Sequence, residues 1–142
     1  MNKIELLNEA LSHYGEKETQ DGVTNKQILY YLENVTGLEM KSNIPWCAAF
    51  IGSMLKDCGF KYLPALNARA YLKYGRAVKT PKLGDIVVFW RGNEQGWQGH
   101  IGFYISQKRN VIYVLGGNQN NKVCIKAYQK KQLLAYRAPV KV

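Results

Sequence analysis

Apolar positions in the first half of the chain recur every three or four residues, whereas in the second half they alternate or run together. Ile4, Leu7, Leu11 and Tyr14 fall on one helical face, and Gly15 closes the segment. Asn2 and Glu5 suit a capping box at its start. Thr24 and Gln27 repeat that signature before Ile28, Tyr31, Leu32 and Val35, and Gly37 stops the second helix. A third helix is predicted from about Pro45 to Asp57, ended by Gly59. Asn67 caps a short fourth helix through Tyr74, closed by Gly75. After Pro81 the period changes. Ile86-Val87-Val88-Phe89-Trp90 is a continuous apolar run, which suits a strand covered on both faces. Ile101, Phe103 and Ile105 alternate with His100, Gly102 and Tyr104. A tight turn at 108–110 leads to a strand over 111–115, and 123–127 and 134–137 read as two more. Helices first and an antiparallel sheet afterwards predict an α+β fold.

The chain has 142 residues, which suits one domain over 1–142, with a helical N-terminal part (1–40) and a core (41–142). No apolar run approaches the ~20 residues of a membrane helix, so no membrane insertion is expected. Met1-Asn2-Lys3-Ile4-Glu5 carries no apolar signal segment, which predicts synthesis in the cytoplasm. The net charge of +10 is unevenly placed. Residues 1–40 hold seven acids and three bases; residues 41–142 hold three acids and seventeen bases. A body this basic attracts polyanions, either nucleic acid or an anionic cell wall. No Lys/Arg block interleaved with aromatics and no nucleic-acid-binding signature is present, so no specific nucleic acid is expected. Cys47, Cys58 and Cys124 are odd in number and widely spaced, which argues against a disulfide framework. Three Cys and two His at these spacings offer no zinc site, and no metal or other cofactor is expected.

Candidate chemistry centres on Cys47, in Asn43-Ile44-Pro45-Trp46-Cys47-Ala48-Ala49-Phe50. Proline fits a first helical turn, so Cys47 lies at a helix N-terminus, where free N–H groups and the helix dipole favour a thiolate. No acid lies between Glu39 and Asp57. Against this, Cys47 shares a helical stripe with Phe50, Ile51, Met54, Leu55 and Cys58, and a cysteine on such a stripe is often a plain core residue. Cys58 and Cys124 read as core. His100 opens a strand and points away from the Ile101, Phe103 and Ile105 face, with Gly102 leaving room beside its ring for an approaching nucleophile. His13 reads as an exposed helix residue. A base needs a third group to orient it. If 100–106 and 111–115 form a hairpin, Asn118 falls beside His100, with Gln119, Asn120 and Asp85 as alternatives. The Cys47 N–H offers one oxyanion donor, and Asn43 or Asn25 a second.

Pro-Trp-Cys-Ala-Ala-Phe, then Gly-Asp-Ile-Val-Val-Phe, then Gly-His-Ile-Gly-Phe-Tyr, then Leu-Gly-Gly-Asn-Gln, in this order, resembles the CHAP and NlpC-type cysteine peptidases. These are papain-like cell-wall hydrolases of bacteria and phages. The likeness runs from about Pro45 to Pro139, with its nearest wording in short phage-associated domains. The resemblance implies a papain-like fold with the Cys47 helix packed on an antiparallel sheet that bears His100. It implies cleavage of an amide bond in peptidoglycan, within the stem peptide or between muramic acid and L-alanine, with Cys47, His100 and Asn118 as the catalytic set. Many relatives carry a wall-binding domain or a secretion signal, so delivery by a holin, a virion or a secretion machine is expected, with a monomer acting at the wall. Two other readings use the same residues: a binding module for wall or another polyanion with Cys47 inert, and a cysteine amidase or acyl transferase acting on a different substrate.

Overall fold

A computed structural model describes residues 1–20, 23–40 and 44–142. Helix α1 (Lys3–Leu11) opens on the expected capping box: Glu5 N–H donates to Asn2 Oδ1 at 2.9 Å, and Asn2 N–H donates to the Glu5 carboxylate at 3.0 Å. The helix stops at Leu11, earlier than the spacing predicts, and buries Leu6, Leu7 and Ala10. Ile4 and Tyr14 are exposed instead of lying in the core, because Tyr14 is beyond the helix and the inward stripe is turned away from Ile4. Strands β1 (Thr19–Gln20) and β2 (Val23–Thr24) form a small antiparallel ribbon that the helical reading passed over. Since Thr24 still belongs to this ribbon, helix α2 (Lys26–Thr36) is capped one residue later, by Asn25, whose side chain accepts from Gln27 N–H at 2.8 Å.

Helix α3 (Cys47–Asp57) has Pro45 and Trp46 outside its first turn. Every residue from Cys47 to Leu55 is buried. A helix apolar around most of its circumference must be covered on all sides. Helices α1 and α2 cover one side of α3 and the sheet covers the other. Tyr31 on α2 stacks on Trp46 and meets Phe50 edge-on. The short fourth helix exists as a 3-10 helix over Ala68–Lys73, capped by Asn67 as expected.

The main sheet contains β3 (Arg76–Ala77), β4 (Ile86–Trp90), β5 (Gly99–Lys108), β6 (Val111–Gln119), β7 (Lys122–Gln129) and β8 (Leu133–Ala138). Their spatial order is β3-β8-β4-β5-β6-β7, with every pair antiparallel. Ile86, Val88, Ile101, Phe103 and Leu115 join the core shared with the helices. Val87, Phe89, Tyr104, Ile112 and Val114 form a second apolar cluster with Tyr128, Leu133 and Tyr136. Residues 86–89 are thus buried on both sides, as their unbroken hydrophobicity requires, with Trp90 half-buried at the strand end. Helices packed against one antiparallel sheet are the expected α+β arrangement.

On β6, Gly117 lets the sheet close on α3 and Gly116 leaves room for the Gln119 side chain. A methyl at Gly117 would sit 2.6 Å from the Trp46 ring and 2.8 Å from Phe50 Cβ, and one at Gly116 would sit 2.6 Å from the Gln119 amide oxygen. Replacing Gly117 by alanine is therefore expected to destabilise the fold by about 1–3 kcal/mol through overpacking. Urea unfolding should show a lower midpoint at unchanged m-value; an unchanged midpoint would mean that Trp46 yields freely.

Candidate active site

Three elements converge on the site. Helix α3 presents Cys47 at its first position, and its cap residue, Trp46, makes no side-chain cap hydrogen bond, unlike Asn2 of α1 and Asn25 of α2. Its first-turn N–H groups therefore have no side-chain acceptor at the cap position. Cys47 is 7% exposed. Burial pushes its thiol above the ordinary range, while the Arg91 guanidinium and the N–H groups of Ala48, Ile101 and Cys47 itself pull the other way. The helix terminus thus favours the thiolate, as expected, but desolvation outweighs it, so the thiol is protonated at neutral pH. The Ile101 N–H sets Cys47 beside β5, one residue from His100.

His100 is fully buried and stacks on Tyr128, with centroids 4.8 Å apart. Val114 stands 3.0 Å from where a Gly102 Cβ would be, so the room expected beside the ring is occupied. His100 Nε2 lies 2.9 Å from Gln119 Oε1. The Gln119 amide cannot turn over, because its Nε2 donates to the Cys124 carbonyl at 2.6 Å. With the amide oxygen fixed toward the ring, His100 Nε2 carries the proton and Nδ1 carries the lone pair. Arg91 Nη2 approaches that nitrogen at 3.3 Å.

The expected orienting residue, Asn118, does not reach His100. Continuing the Phe103↔Leu115 register would set Asn118 opposite His100, but the β6–β7 ladder slips between Gly116 and Gln119. Asn118 takes a left-handed φ of 57°, and the resulting bulge turns Gln119 inward, where it is 1% exposed. Asn120 bonds Lys126 Nζ rather than His100. Asp85 is also elsewhere: it accepts from Lys3 Nζ at 2.7 Å and from Lys82 N–H at 2.8 Å, tying α1 to the start of β4. Of the two expected oxyanion donors, Asn25 is the cap of α2, and Asn43 lies outside the described residues.

Cys47 and Asn118 line one cavity of about 270 Å³ with Pro45, Asn67, Arg91 and Trp97. Trp97 is 71% exposed at its rim. Its loop is held by Arg69, which donates to the carbonyls of Gln98, Glu94 and Asn93 at 2.9, 2.8 and 2.7 Å. A larger cavity of about 580 Å³, against Lys61, Tyr62 and Tyr74, is lined by no cysteine or histidine among the described residues. Among the described residues no hydrogen bond joins Cys47 to His100; Arg91, beside both, is the link between them.

Sequence reasoning missed Arg91 and Tyr128. Arg91 was legible: in a β4–β5 hairpin Phe89 pairs with His100, and a residue two further along shares its face. Nothing local marked Tyr128, which reaches His100 from β7 across β6. His13 is half-buried, not exposed, lying between Glu9 and Glu16 and edge-on to Tyr31 and Phe50. Cys58 and Cys124 are buried, as expected of core residues. Among the described residues no cluster of three His, Cys, Asp or Glu could hold a metal, and no helix is long and apolar enough to cross a membrane.

Burial pushes His100 down to about 3, helped by Arg91 and Lys126 and opposed by the Gln119 hydrogen bond. Between that value and about 6.5 the unfolded chain binds a proton that the folded chain refuses. The stability this group confers is therefore complete above pH 6.5 and lost as pH falls toward 3. Unfolding free energies measured from pH 7 to 4 should fall more steeply in the wild type than in His100→Gln, by up to about 1.4 kcal/mol per pH unit. Parallel slopes would show that the folded protein can protonate His100.

Helices packed on one antiparallel sheet, with a cysteine opening one helix and a histidine opening a strand beside it, give the papain-like α+β arrangement. The CHAP domain family matches residues 39–118, more than half of the chain, and the protein belongs to that family of peptidoglycan-related cysteine peptidases and amidases. Among solved structures, the P60 domain of an antigen from M. avium subspecies paratuberculosis is similar in fold. Its TM-score is 0.51 at 11% identity, covering 96% of this chain and 95% of that one. No curated protein matches in sequence.

Proposed function

We propose that this domain hydrolyses an amide bond of bacterial peptidoglycan, with Cys47 as nucleophile, His100 as base and Gln119 as the residue that orients it. The observation that carries this reading is the fixed Gln119 amide, which leaves His100 Nδ1 as acceptor on the histidine next to the residue whose N–H meets Cys47. The Cys47 proton passes to Nδ1, and the thiolate attacks the amide carbonyl. Uncapped N–H groups of α3 face the developing oxyanion. The imidazolium then protonates the leaving amine, and water hydrolyses the thioester. The basic body favours an anionic wall, to which the domain would be delivered by a holin, a virion or a secretion machine.

Incubation with isolated peptidoglycan, followed by mass spectrometry of the soluble fraction, tests this. New amine and carboxyl termini at one bond type are expected, and their identity separates stem-peptide cleavage from cleavage at L-alanine. The near-complete burial of Cys47 favours one rival, a wall-binding module without chemistry. That rival predicts co-sedimentation with the wall and no fragments.

A further inference from the structure

Arg91 lies near both the candidate nucleophile and the candidate base, on an exposed position at the cavity wall, and the proposed reaction does not use it. Its guanidinium only donates hydrogen bonds. One of its nitrogens, Nη2, meets His100 Nδ1 at 3.3 Å, a long contact for a hydrogen bond. It also lies within reach of the Tyr128 hydroxyl. The ion pairs of the described residues involve Lys3 and His13, not Arg91. Among the described residues, the cavity it lines with Cys47 has no acidic residue in its wall. A second cation, Lys126, faces His100 from β7, over the Tyr128 ring. His100 is thus flanked by two cations and a neutral amide, with no carboxylate among the described residues to support an imidazolium.

These observations fit a guanidinium whose partner arrives with the substrate. We propose that Arg91 selects substrates carrying a free carboxylate close to the amide bond to be cut, and that binding this carboxylate draws Nη2 off His100 and frees Nδ1 to take the Cys47 proton. A carboxylate is a stronger, bidentate acceptor for guanidinium than an imidazole nitrogen, so the exchange favours the substrate. The arriving negative charge also supplies what the site lacks, a counter-charge near the imidazolium formed when the proton moves from Sγ to Nδ1. Trp97 at the rim gives the rest of such a peptide an apolar wall. The proposal rests on the cysteine-hydrolase reading, and its test does not require wall cleavage.

The test compares alkylation of Cys47 by iodoacetate, which carries a carboxylate, with alkylation by neutral iodoacetamide. Site-specific rates would be read by mass spectrometry at neutral pH. Taking the ratio of the two rates cancels the intrinsic reactivity of the thiol. The ratio is expected to fall about tenfold in Arg91→Gln and to recover partly in Arg91→Lys. Lys126→Gln, which removes the same charge outside the cavity wall, should leave it near the wild-type value. Equal ratios in wild type and Arg91→Gln, or an equal fall in Lys126→Gln, would overturn the proposal while leaving the hydrolase reading intact. No alkylation of Cys47 by either reagent would overturn both.

Discussion

Replacing Cys47 by alanine should abolish fragment release from peptidoglycan, with a loss on the order of 10⁴-fold or more, while the protein stays folded. The size follows from mechanism: without sulfur no acyl-enzyme forms, and binding plus oxyanion donors alone recover only a small part of the rate. The cost in stability should be slight, roughly 1 kcal/mol, because a single buried sulfur is removed and the site is next to a cavity. Cys58→Ala is the matched control. It removes the same atom from the opposite end of α3, in the core, and should leave fragment release unchanged at a similar cost in stability. A Cys47→Ala protein that still releases fragments, or a folded Cys58→Ala protein that does not, would remove Cys47 from the mechanism.

Gln119→Leu should have the next largest effect, a loss of about 10²–10⁴-fold in kcat. Leucine keeps the volume but removes both ends of the amide. The His100 Nε2–H then has no acceptor and the Cys124 carbonyl no donor. Each buried orphan costs about 1–3 kcal/mol, so stability should fall as well. Only the long Arg91 contact then still favours the lone pair on Nδ1, the ring loses the partner that held its tautomer and orientation, and loss of the correct tautomer alone can cost about 10⁴-fold. Nitrogen chemical shifts of His100 would report the change directly. Asn118→Gly, at a left-handed position that glycine tolerates, should leave the tautomer and the pH–rate profile as in the wild type. If Asn118→Gly changed them and Gln119→Leu did not, the orienting role would belong to Asn118.

These two residues also mark where the sequence stops being informative. Cys47, His100 and the strands that flank them could be read from helical and alternating periods, which depend only on near neighbours. The partner of His100 could not. An unbroken ladder favours Asn118, and one bulge reassigns the contact to the next residue. The run Gly-Gly-Asn-Gln-Asn-Asn carried the hint, since glycine and asparagine are the residues that tolerate a left-handed backbone, but it reads equally as a turn. The protonation of Cys47 was also out of reach. Helix position argues for a thiolate, and only the packing of α1, α2 and the sheet around α3 shows how much water is withdrawn.

Local pattern by itself determined the α+β class, the capping box at Asn2, the cap at Asn67, the doubly covered run 86–89 and the placing of one cysteine at the start of a helix. Hydrophobic period and capping act over a few residues, so a linear reading captures them. Tertiary structure decided that Gln119 holds His100, that Tyr128 stacks on it from a strand two places away, and that Arg91 lies beside both candidate groups. Those relations depend on strand order, register and burial, which are properties of chain segments far apart in sequence once they are packed together.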